Sequence, residues 1–105
     1  MCLIETGFEY RIVCELTAEQ ANGILAKAPN FDHRDELGLH EYRGSGSLAS
    51  LPDAVLQRAE YGLYYCDYSR SRTSLEVLGY VLSRCADLGP VTLQAAESLP
   101  KLNYA

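Results

Sequence analysis

Residues 60–68, Glu60-Tyr61-Gly62-Leu63-Tyr64-Tyr65-Cys66-Asp67-Tyr68, decide how the rest of this chain must be read. Aromatic residues recur there at a spacing of two, and successive strand side chains point to opposite faces, so the stretch reads as a β-strand. Tyr61, Leu63 and Tyr65 share one face, and Gly62, Tyr64, Cys66 and Tyr68 share the other. Thr73-Ser74-Leu75-Glu76 then spells a capping box, in which a hydroxyl and an acidic side chain satisfy each other's backbone N–H groups at a helix start. Leu75, Leu78, Val81, Leu82, Cys85 and Leu88 follow as the strongest apolar helical stripe in the chain. Gly89-Pro90 stops that helix. Val91 to Ala95 is a last short strand, and Ser98 to Ala105 a loosely held tail.

Working back from residue 60, Leu48 to Arg58 carries conflicting signals. It reads as irregular chain or a short helix, although Val55 to Arg58 could equally start a strand. Gly44-Ser45-Gly46-Ser47 is a flexible break, too short to separate domains. Leu37, Leu39 and Glu41 alternate with Gly38, His40 and Tyr42 in a weaker strand, preceded by a polar loop from Asn30 to Asp35. Thr17-Ala18-Glu19-Gln20 is another capping box, opening a helix whose Ala21, Ile24, Leu25 and Ala28 form one stripe and which Pro29 ends. Phe8 to Leu16 alternates, with Phe8, Tyr10, Ile12, Cys14 and Leu16 against Glu9, Arg11, Val13 and Glu15. The order strand, helix, strand, strand, helix, strand closes most simply as an α+β, ferredoxin-like βαββαβ sandwich. Its sheet is antiparallel, its first and third strands are central, and both helices lie on one face. A single domain over residues 1–105 is expected.

The 105 residues are 48% hydrophobic, enough for one core without a disulfide or metal staple. No apolar run approaches the ~18 residues that cross a bilayer. Met1 to Tyr10 holds two glutamates and no basic residue, unlike a secretory leader, so a cytoplasmic protein is expected. The net charge of −5 argues against phosphate neutralisation, and Glu60 stands where an RNA-recognition strand would carry a basic residue, so no nucleic-acid partner is expected. The charge is uneven: residues 1–53 hold nine acids and four bases, residues 54–105 five of each. An acidic N-terminal half suits a basic partner.

Cys2, Cys14, Cys66 and Cys85 include no CxxC pair, and with His33 and His40 as the sole histidines no metal framework or cofactor is expected. His33-Arg34-Asp35 imitates a kinase catalytic-loop tripeptide, but the glycine-rich loop and strand lysine that chemistry requires are missing. Loop serines Ser45 and Ser47 are the nucleophiles on offer to that pair, and no catalytic residue is assigned. Arg70, Ser71, Arg72, Thr73 and Ser74 lead into the strong helix, where free N–H groups, hydroxyls and guanidiniums could hold an anion.

The tyrosines point furthest. The chain has eight, against two phenylalanines and no tryptophan. With Tyr61 and Tyr65 against the helices, Tyr64 and Tyr68 stand on the uncovered sheet face beside Glu9, Arg11 and Glu15, joined by Tyr42 from the second strand. Tyrosine and arginine are enriched where interfaces concentrate binding energy. The expected function is a small acidic, non-catalytic protein-interaction domain, by analogy of the inhibitor, immunity or phage type, binding a protein or a second copy through Tyr64, Tyr68, Arg11, Tyr42, Glu9 and Glu15. The alternative is an anion- or ligand-binding regulatory domain, or small enzyme, built on residues 71–74.

Overall fold

The computed structural model describes residues 7–44 and 51–95. Its elements run β1 (Phe8–Val13), α1 (Ala18–Lys27), β2 (Phe31–Arg34), β3 (His40–Tyr42), β4 (Ala54–Ala59), β5 (Gly62–Asp67), α2 (Arg72–Leu88) and β6 (Thr92–Ala95). The strands form one antiparallel sheet in the order β2-β3-β4-β5-β1-β6. The run β6-β1-β5-β4 is the ferredoxin-like order, with β1 and β5 central and the β2–β3 hairpin added outside β4. Both helices pack on one face, against Ile12, Tyr42, Ala54, Leu56, Leu63 and Tyr65.

Two of the six strands among the described residues correct the sequence reading. Phe31–Arg34, expected as polar loop, is an edge strand whose four residues are all exposed. An edge strand without a buried face shows no alternation, so its composition is that of a loop. It is held by its turn: the Asp35 carboxylate accepts the N–H groups of Leu37 at 2.8 Å and Leu39 at 3.0 Å. Those bonds, the one from Leu39 foremost, hold the Asp35 carboxyl below its usual range. Ala54–Ala59, where strand and helix signals competed, is β4. It forms a two-residue hairpin with β5, Ala59 pairing with Gly62. Among the described non-glycine residues only Asn30 and Arg70 have positive φ, so Glu60 and Tyr61 do not supply the reversal. Gly62 does, at φ 137°, where a Cβ would also press on the Ile12 carbonyl and the Cys14 N–H.

Helix α1 starts as its sequence dictates. Thr17 Oγ1 accepts the Gln20 N–H and Gln20 Oε1 accepts the Thr17 N–H, both at 3.0 Å, and Ala21, Ile24, Leu25 and Ala28 are buried. Helix α2 starts two residues before the expected box. Its N-cap is Ser71, with Ser74 in the place usually taken by glutamate or glutamine. The stripe is turned accordingly: Ser74, Val77, Val81 and Cys85 are buried, while Leu75 and Leu88 are exposed. Tyr65 helps set that rotation, because its hydroxyl donates to the Ser74 carbonyl at 2.9 Å and leaves room for small residues at that line.

Tyr42 is the main correction to the expected surface. Tyr42 pairs with Ala54 and His40 with Leu56, which puts both on the helix-covered face. Tyr42 is fully buried, and its hydroxyl donates to the Leu25 carbonyl at 2.7 Å. That carbonyl is among the last four of α1, which lack partners within the helix. Tyr61 departs the other way. It sits in the turn before β5 with the Arg11 guanidinium 5.6 Å from its ring centroid, rather than in the core. The break at Ser45 to Ser47, those two loop serines, the tail from Ser98 to Ala105 and the first six residues lie outside the described part. Among the described residues no helix is long and apolar enough to cross a membrane.

Candidate functional site

The sheet face opposite the helices is organised by register. Glu9 stands opposite Cys66 and Arg11 opposite Tyr64 across β1 and β5. On the other side Cys66 faces Val55 and Tyr64 faces Gln57 across β4. Glu9 and Arg11 are exposed, while Tyr64 and Tyr68 are half-buried. The Tyr64 hydroxyl donates to Glu9 Oε2 at 2.9 Å. Burial and then that carboxylate push the Tyr64 phenol far above its ordinary value, so it remains a neutral donor.

Cys66 lies beneath this patch, 2% exposed although it points away from the helices. Its thiol is close enough to Tyr64 and Tyr68 for both to lower it against the larger effect of burial. Gly7 also lies against it, because a Cβ there would collide with the Cys66 sulfur and stand 2.9 Å from the Tyr68 ring. Burial raises the Cys66 thiol, which marks it as inert packing rather than a nucleophile. The sequence reading brought Tyr64, Tyr68, Glu9 and Arg11 to one face, and the structure sets them side by side. It does not bring Glu15 there. Glu15 follows the end of β1 and lines a cavity with Cys14 and Glu60. Val55 and Gln57 of β4 belong to the patch and were missed, for want of a secure strand assignment.

At the β2–β3 end of the sheet, Asp32, His33 and Glu41 place their donor atoms within 4.8 Å of one another. Those residue types could hold a divalent cation. Arg43 already stands there, 3.6 Å from Asp32 and 3.5 Å from Glu41, and His33 Nδ1 is 2.8 Å from Asp32. The pair with Asp32, followed by the charge of Glu41, holds the His33 imidazolium above its ordinary pKa. A cation would have to displace this arginine and compete with that proton. His33 and Glu41 were not grouped in the sequence because β2 read as a loop.

At the start of α2, the expected anion donors Arg70, Ser71 and Ser74 are engaged within the protein, while Arg72 is exposed and Thr73 half-buried. Ser71 Oγ accepts the Ser74 N–H, and the Ser71 N–H bonds Ser74 Oγ at 3.0 Å. Ser69 and Ser71 hydroxyls share a 2.6 Å bond, and the Arg70 guanidinium lies 4.6 Å from the Phe8 ring centroid. The Arg70 N–H bonds Asp67 Oδ1 at 2.7 Å, which holds Arg70 at φ 50°. A separate cavity of about 500 Å³ between α1 and the β2–β3 hairpin is lined by Asn22, Arg34, Gln57, Arg58 and Glu60, a mixed-charge set without a paired acid and base poised on a nucleophile. Comparison with protein-family models, with curated proteins and with solved structures gives no match.

Proposed function

We propose that this chain is a non-catalytic protein-interaction domain whose sheet face opposite the helices, centred on Tyr64 and Tyr68 with Glu9 and Arg11, is its contact surface. One observation carries the reading. Both helices lie on the opposite face, while this face presents two half-buried tyrosines between an exposed carboxylate and an exposed guanidinium. Both tyrosines are half-buried and Tyr64 is tied to Glu9, so they offer aromatic area with little ordering cost on binding. The acidic excess of the N-terminal half favours a basic partner, in the manner of an inhibitor that caps a cationic protein; self-association is the competing outcome.

The test pairs affinity capture from the native host with mass in solution. The full-length chain is expected to retain one stoichiometric partner, and Tyr64→Ala with Tyr68→Ala to weaken it at least ~10-fold. Leu75→Ser, on the exposed side of α2 across the molecule, serves as control and should leave binding intact. Equal retention by wild type and the tyrosine variant, or loss with the Leu75 variant alone, would overturn the proposal. A concentration-dependent dimer abolished by the tyrosine variant would assign the same face to a second copy.

A further inference from the structure

Two thiols meet at the far end of the sheet from the tyrosine patch. Cys14 directly follows β1, and Cys85 lies in the last turns of α2. Both line one cavity of about 560 Å³, together with Glu15, Glu60 and Tyr61. Cys85 belongs to the buried core at 1% exposure, whereas Cys14 is half-buried and packs against it. Burial raises both thiols, and after it the neighbouring Cys85 lowers Cys14 while Cys14 raises Cys85; the Cys14 sulfur also lies 3.8 Å from the Ile12 carbonyl.

We propose that Cys14 and Cys85 form an oxidisable dithiol that closes to a disulfide, tying β1 to α2, when a small hydroperoxide enters this cavity. Access separates their roles. Cys14 is the more exposed of the two sulfurs that line the cavity, and the adjacent Cys85 thiol favours its thiolate. Cys85 is held as the neutral thiol, burial pushing it up to about 12. The Cys14 thiolate attacks one peroxide oxygen; the S–O bond forms, the O–O bond breaks, and the departing hydroxide takes up a proton as water. The Cys85 sulfur then attacks the Cys14 sulfenic sulfur; the S–S bond forms, the S–O bond breaks, and the hydroxyl leaves as water with the Cys85 proton. Two thiols are oxidised by two electrons while one hydroperoxide is reduced, so the step balances. Burial raises Cys14 as well, which makes the first attack slow beside that of a low-pKa peroxide-sensing thiol. The adjacent Cys85 makes the second attack intramolecular and fast. Glu15 and Glu60 at the cavity favour a neutral hydroperoxide over an anionic disulfide as oxidant.

The test treats the folded full-length protein with hydrogen peroxide, blocks remaining thiols by alkylation and maps peptides without reduction. The expected product is a dithiothreitol-reversible link between the Cys14 and Cys85 peptides, with two hydrogens lost from the intact mass, and anionic glutathione disulfide is expected to act more slowly than peroxide. Cys66→Ser should leave the link unchanged. A link from either residue to Cys2 or Cys66, or recovery of both as free thiols when other cysteines have been oxidised, would overturn the proposal, and neither reading requires a variant to fold.

Discussion

Tyrosine at positions 42, 64 and 65 does two different jobs with one side chain. Tyr65 and Tyr42 are buried phenols whose rings fill the core and whose hydroxyls reach helix carbonyls, Ser74 in α2 and Leu25 in α1. Tyr64 spends its hydroxyl on Glu9 at the surface. The distinction predicts different costs for removing the same oxygen. Tyr42→Phe should lower stability by about 1–2 kcal/mol, because it strands a buried helix-end carbonyl. Tyr64→Phe should change it by less than ~0.5 kcal/mol, since Glu9 can turn to water. Urea unfolding of the two variants checks this, and equal losses would contradict the proposed division of roles. Tyr42 could not be placed from its own neighbourhood, because a three-residue strand carries too short an alternation to fix which face is inward.

At the scale of elements, the β4–β5 hairpin has the firmest local determinant. Its two loop residues keep ordinary φ, so Gly62 carries the reversal while lying against β1. Gly62→Ala combines backbone strain with a collision against the neighbouring strand, and should cost more than ~2 kcal/mol by thermal unfolding. Gly23→Ala, on α1 with open space around it, should be neutral or stabilising by up to ~1 kcal/mol and is the matched control. The helices show how much element-level signal was legible. Thr17–Gln20 named its N-cap correctly because threonine and glutamine there have matching local partners. The start of α2 was misplaced because Ser71, Thr73 and Ser74 all cap well; contact with Tyr65 fixed the helix's rotation, and no local rule contains that contact.

For the whole molecule, protons report on folding through two histidines of opposite sense. His40 is buried beside Phe31 with Nδ1 3.0 Å from the Gly38 carbonyl, and burial lowers it from the ordinary 6.5. Its neutral burial therefore stabilises the fold above pH 6.5, and that contribution is lost as pH falls through its folded value. His33, raised by Asp32, contributes fully below pH 6.5 and loses that contribution as pH rises through its folded value, but it is fully exposed and contributes little. Wild type should accordingly lose more Tm than His40→Gln between about pH 7 and pH 5, and equal losses would remove His40 from the acid response. The amino-acid order by itself determined the α+β class, the paired helices, the central positions of β1 and β5, and the common face of Glu9, Arg11, Tyr64 and Tyr68. Those follow from periodicity and capping, which act between residues a few positions apart. Tertiary structure alone decided that β2 and β4 are strands, that Tyr42 is core, that Cys66 is buried on the face opposite the helices and that Cys14 and Cys85 line one cavity. Each of these depends on what lies across the sheet or on the packed helix, and register between distant segments sets that partner.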